Sequence, residues 1–180
     1  MKKIISGIIA VAILIFVVAF STYAWWTWSS NEDEKTNIAF TVEGLTDKIS
    51  YNVNHVNSSY LIPVSSKTKG YITNVSISQT STQNLYATFS LDLTSLDDGL
   101  KNASFKYELS IGDEIYGNGN FSNYNEGDTI TLNSEPIQVT NASQTISLYI
   151  WIDGNLANPE SMENQNYHFE LRANVTDQTN

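Results

Sequence analysis

Apolar and polar residues alternate along most of the chain after residue 35, a period of two that is typical of strands with one buried face. The clearest runs are Asn84–Leu93, Phe105–Ile111 and Tyr167–Val175. Weaker runs of the same kind are Ile38–Val42, Ile49–Val53, Tyr71–Ile77, Ile130–Leu132 and Ile137–Val139. A further run, Ile146–Ile152, puts four aliphatic residues on one face. The pattern predicts a succession of short strands and no long helix in this part of the chain.

Residues that tolerate turns separate the runs, among them Asp97-Asp98-Gly99, Gly112-Asp113, Gly117-Asn118-Gly119 and Asp153-Gly154-Asn155. Strands at a spacing of about ten residues with such turns predict an all-β fold, an antiparallel β-sandwich of jelly-roll or immunoglobulin-like type. Inward positions of the clearest runs and of Ile146–Ile152 should share one core. They are Phe89, Leu91, Phe105, Leu109, Leu148, Ile150, Phe169 and Leu171.

The first thirty residues follow a different pattern. Lys2 and Lys3 precede an uncharged apolar run, Ile4–Phe20, and acidic residues follow near Glu32. This charge distribution indicates a cytoplasmic N-terminus and an exported remainder. We therefore divide the chain into a hydrophobic N-terminal helix at 1–30 acting as signal peptide or membrane anchor, a linker at 31–35, and an exported β-sandwich domain at 36–180.

Two interpretations of the N-terminal segment remain open. As a signal peptide, it offers Thr22 and Ala24 as the small residues before a cleavage site, with Trp25 the first residue after the cut. As an anchor, Ile4–Ala24 would span roughly 31 Å as a helix, enough for a hydrocarbon core. Aromatic residues would then lie at the outer membrane interface. They are Tyr23, Trp25, Trp26 and Trp28.

The N-terminal segment combines Lys2-Lys3, the apolar run and the junction Tyr23-Ala24-Trp25-Trp26-Thr27-Trp28. In this it resembles exported proteins of Gram-positive bacteria whose signals are cut by the SipW type of signal peptidase. That group includes TasA and camelysin-like proteins of the biofilm matrix. The resemblance implies a β-domain without cysteine, and it suggests that Thr36–Glu43 acts as a strand donated to a neighbouring copy. The residues themselves favour the simpler interpretation, in which Thr36–Glu43 is the first strand of its own sandwich.

Composition narrows the functional classes. The chain has 180 residues, a formal net charge of −10 and no cysteine. The acidic balance argues against a nucleic-acid partner, which requires a basic surface. The lack of cysteine excludes disulfides, thiolate zinc sites and a cysteine nucleophile. We expect no cofactor.

Candidate catalytic and metal-binding residues are sparse. His55, in a polar turn region, and His168, on the polar side of a strand, are best interpreted as solvated surface residues. Three carboxylate pairs lie in turns, where water keeps both members ionised. They are Asp97-Asp98, Asp113-Glu114 and Glu160/Glu163. Calcium could use turn oxygens, but no run with the spacing of a calcium loop is present, and we predict no metal site. The oxygens in question belong to Asp97, Asp98, Asp153 and Asn155.

Tyr149 and Trp151 are the candidate binding residues. If Ile146–Ile152 has its aliphatic side inward, these two aromatic side chains stand on the opposite face. Paired exposed aromatics can stack on sugar rings or contact another protein, and a covering loop would instead make them an ordinary minor cluster.

The sequence favours a non-enzymatic protein of the cell surface or extracellular matrix. Its expected partners are the membrane, at least transiently, a signal peptidase, and other copies of itself in fibres. It would remain at the membrane with its C-terminal domain outside, or be secreted after cleavage. The alternative is a carbohydrate-binding module using Tyr149 and Trp151.

Overall fold

The computed structural model describes residues 38–56, 62–157, 162 and 165–177. The hydrophobic segment at 1–30 and the linker at 31–35 lie outside them. None of the helical segments within the described ranges is long and apolar enough to cross a membrane.

The described residues form eleven strands and three single turns of 3₁₀ helix. The strands are β1 (Ile38–Gly44), β2 (Ile49–Val56), β3 (Pro63–Val64), β4 (Tyr71–Gln79), β5 (Leu85–Leu96), β6 (Phe105–Ile111), β7 (Glu114–Asn120), β8 (Thr129–Thr131), β9 (Ile137–Val139), β10 (Gln144–Asp153) and β11 (Tyr167–Thr176). The 3₁₀ turns are Thr46–Lys48, Lys67–Lys69 and Asp98–Leu100. The predicted all-β class is confirmed.

The strands make two sheets. The five-stranded sheet runs β1-β11-β5, and the short strands β8 and β9 pair with successive parts of the far side of β5. The six-stranded sheet runs β2-β4-β10-β6-β7, with β3 beside the end of β10. Most pairs are antiparallel, as expected, but β1–β11 and β3–β10 are parallel. A parallel pair needs a long crossover connection, and both of these pairs join strands far apart in the sequence.

The inward faces of both sheets fill one apolar interior. All eight predicted core residues have no exposed surface. Aromatic rings join the two sheets, because Phe121, which follows β7, stacks on Phe169 of β11 at 5.1 Å between ring centres. Phe105 of β6 lies 5.5 Å from Tyr167. The described strands therefore form a sandwich-like pair of sheets, as the alternation predicts.

One expected turn is part of a strand. Gly117-Asn118-Gly119 lies within β7, and only Gly112-Asp113 turns the chain between β6 and β7. The reason is a close approach between sheets: a Cβ added to Gly117 would collide with the carbonyl oxygen of Leu132. Glycine here permits packing of backbone on backbone and is no sign of a turn.

Candidate functional site

Tyr149 and Trp151 project from the outer face of the six-stranded sheet. They alternate with Ile150 and Ile152, which have no exposed surface, and both aromatic side chains are half-buried. In the pairing of β10 with β6, Tyr149 lies opposite Glu108 and Trp151 lies opposite Lys106. The strand therefore places the two candidate binding residues on one face, as the sequence predicts.

A turn of the chain covers the ring of Tyr149. Lys67, in the 3₁₀ turn Lys67–Lys69, holds its ammonium 4.8 Å from the centre of that ring, within the range of a cation–π interaction. The same ammonium forms an ion pair with Glu108, which is 7 % exposed. Because a buried carboxylate needs a partner, Lys67 fixes this turn to the sheet. A ligand could stack on this face of Tyr149 only after Lys67 moved away.

Trp151 is flanked by backbone on one side and by an ion pair on the other. An added Cβ at Gly70 would lie 2.5 Å from the Cβ of Trp151, so glycine lets the turn pack closely there. Lys106 Nζ lies 2.8 Å from Asp153 Oδ2. The hydrogen bond from Lys106 lowers the pKa of Asp153, and the Asn155 backbone N–H strengthens this effect. The outer face thus offers one partly exposed indole beside a fixed charged pair.

His55 lies in strand β2, so its expected place in a polar turn is wrong. Its Nδ1 is 3.0 Å from the Tyr71 hydroxyl and 3.1 Å from the Thr73 hydroxyl. Burial lowers the pKa of His55. The sequence suggests a turn here because asparagines and a serine, which are common in turns, occupy the outward positions of this edge strand. His168, by contrast, is exposed on β11 as expected.

The acidic residues of the turns bond to other groups of the same domain. Asp97 accepts a hydrogen bond from the Asn166 backbone at 2.7 Å and joins two loops. Asp98 pairs with Lys101 at 2.6 Å, and this hydrogen bond lowers the pKa of Asp98. Across the described parts of the chain, no group of three or more histidine, cysteine or acidic residues is placed to hold a metal ion. Asp113 and Glu114 are exposed, the first in the turn after β6 and the second at the start of β7, whereas Glu160 and Glu163 lie outside the described residues.

A charge cluster that the sequence pattern does not predict lies on the outer face of the five-stranded sheet. Arg172, the chain's single arginine, lies 2.8 Å from Asp92, 3.1 Å from Glu170 and 3.5 Å from Glu43. Glu170 also accepts a hydrogen bond from Thr41 at 2.6 Å, which connects β11 to β1. Only pairing across three strands brings these residues together. The sequence feature that could have indicated this cluster is the isolated arginine within an alternating strand.

The predicted cleavage and membrane-interface residues lie outside the described residues. They are Thr22, Tyr23, Ala24, Trp25, Trp26 and Trp28.

The chain matches no family model, curated protein or solved structure.

Proposed function

We propose that the chain is a non-enzymatic exported protein of the cell surface or extracellular matrix. In this proposal the N-terminal segment directs export, and a jelly-roll or immunoglobulin-like sandwich is displayed outside. The observation that carries the proposal is that charged side chains of the described domain bond to groups within the same domain. Asp97, Asp153 and Glu170 connect loops and strands to one another, which suits a scaffold that presents surfaces.

Protease added to intact cells, with any wall removed, tests export. The domain should be digested while a cytosolic marker survives, because the domain lies outside the membrane. Protection of both would contradict the proposal. Mass spectrometry then separates the two fates, since an N-terminus at Trp25 indicates cleavage by a signal peptidase and release. An intact N-terminus indicates a membrane-anchored protein.

Assembly into fibres forms part of the proposal. β1 pairs along seven residues with β11 of its own chain, which supports the interpretation of Thr36–Glu43 as the first strand of its own domain. Donation of β1 to another copy would require these seven pairs to open. The size of the exported protein by light scattering, followed over days, distinguishes a stable monomer from a polymer.

Carbohydrate binding is the second candidate function. The partly exposed Trp151 beside the Lys106–Asp153 pair favours it, because sugar rings stack on indoles while their hydroxyls bond to charged groups. Binding to insoluble polysaccharides should be lost in Trp151→Ala. Tyr86→Ala, on the outer face of the other sheet, is the matched control and should bind like the wild type. Equal binding by all three proteins would exclude this site.

A further inference from the structure

Strand β2 (Ile49–Val56) forms one edge of the six-stranded sheet. β4 pairs with it on one side, and none of the residues that the structure describes pairs with its other side. The strand is eight residues long, and Tyr51 and Val56 are 49 % and 36 % exposed. An edge of this length can accept another strand.

The pairing with β4 determines which residues of β2 direct their backbone N–H and C=O groups toward the free edge. The Thr80 N–H donates to the Lys48 carbonyl at 2.7 Å, and this pair is in register with Ile49 opposite Gln79. Since hydrogen-bonded and non-bonded pairs alternate in an antiparallel ladder, even-numbered residues of β2 bond to β4. The N–H and C=O groups of Ile49, Tyr51, Val53 and His55 therefore point away from the sheet.

The edge lacks the residues that normally prevent strands from pairing. Its sequence, ISYNVNHV, contains no carboxylate, lysine, arginine or proline. The other two long edges carry Glu43 in β1 and Glu114 in β7. In a chain with a net charge of −10, identical copies repel each other, and pairing through β1 or β7 would add a carboxylate from each copy to the interface. The β2 edge is thus the one of the three where this repulsion is weakest.

We propose that β2 pairs antiparallel with β2 of a second copy, about a two-fold axis at Asn52. Residues directly opposite must lie on the same face of the sheet, so a residue on the axis faces its own counterpart. With Asn52 on the axis, Tyr51 lies opposite Val53 of the other copy, and Ile49 lies opposite His55. All four have outward-facing backbone groups, which gives about eight hydrogen bonds between the copies.

This register also suits the side chains. Tyr51 packs beside a β-branched valine, a favourable cross-strand pair, and part of its exposed ring becomes buried. On the outer face Asn52 meets Asn52, and their amides can bond to each other. The result is one continuous sheet of two domains. The inference rests on the proposed display of the protein outside the cell, where copies share a surface.

Single cysteines test the register, because the natural chain contains none. In the full-length protein at the membrane, Asn52→Cys places two thiols on the axis, with Cα atoms about 4.5 Å apart in a non-hydrogen-bonded pair. That distance permits a disulfide. Asn54→Cys is the matched control on the same face, and its two copies would be about 14 Å apart, four residues along the strand. Mild oxidation should produce a covalent dimer of N52C and leave N54C monomeric.

Two results would overturn the proposal. Absence of dimer from N52C would show that this edge does not pair with itself. Equal dimer from N52C and N54C would show contact without this register, including contact made by the N-terminal segments or by a different edge. Protease access to the domain is measured on the same cells. An exposed domain without the N52C dimer leaves the proposed function standing and removes only this inference.

Discussion

At the scale of the residue, burial affects the ionisation of His55. Its Nδ1 lies within hydrogen-bond distance of the hydroxyls of Tyr71 and Thr73, and the tautomer decides whether it donates or accepts there. Burial lowers the pKa of His55 below 6.5. Between that lowered pKa and 6.5, the unfolded chain binds a proton that the folded chain does not, so stability falls as the pH falls.

We expect the free energy of unfolding to decrease between pH 7.5 and 5.5, and to decrease less in His55→Gln. Urea denaturation at several pH values measures both slopes. Equal slopes for the wild type and H55Q would mean that His55 titrates alike in the folded and unfolded chain.

At the scale of the element, Phe169 joins β11 to the opposite sheet. It has no exposed surface and stacks on Phe121 at 5.1 Å. Phe169→Ala should lower the free energy of unfolding by about 3–5 kcal/mol, through lost burial and the cavity left behind. Thr88→Ala, on the outer face of β5, should change it by less than about 0.5 kcal/mol. A loss below about 1 kcal/mol for F169A would contradict the packing of the two sheets through this ring.

Gly117 tests the close approach of β7 to the other sheet. Gly117→Ala should destabilise the domain by about 1–3 kcal/mol, because the new Cβ meets the backbone of Leu132 and one strand must shift. Gly154→Ala is the matched control, since its nearest neighbour would be at 3.4 Å, an ordinary contact. Thermal unfolding of the two variants measures the difference. Equal stability would mean that the backbones of Gly117 and Leu132 are not in close contact.

The alternation of residues predicts most strands and the core because burial on one face follows directly from a period of two. It does not predict which strands pair, since pairing joins residues far apart in the sequence. The parallel β1–β11 pair and the Arg172 cluster both depend on such pairing. For the candidate site, the pattern places Tyr149 and Trp151 on one face. It does not reveal Lys67 above Tyr149, because that contact comes from a turn about eighty residues earlier.

At the scale of the whole molecule, net charge controls how easily two copies meet. Each chain carries −10, and the range of this repulsion shortens from about 30 Å in 0.01 M salt to about 10 Å in 0.1 M. Dimer formation by N52C should therefore increase as sodium chloride is added. N54C, the control, should remain monomeric at every concentration. A yield of N52C dimer that falls with salt would indicate pairing through opposite charges and not through the uncharged β2 edge.

The parallel alignment of β1 with β11 has a mechanical consequence. The chain enters β1 at Ile38, beside Phe169, and leaves β11 at Thr176, beyond the opposite end of the pair. Tension between the N-terminus and the C-terminus would therefore slide the two strands past each other and load their seven residue pairs together. An antiparallel pair held at the same end would instead open one bond at a time. A domain held at the cell by its N-terminus and pulled at its C-terminus would be loaded along its more resistant direction.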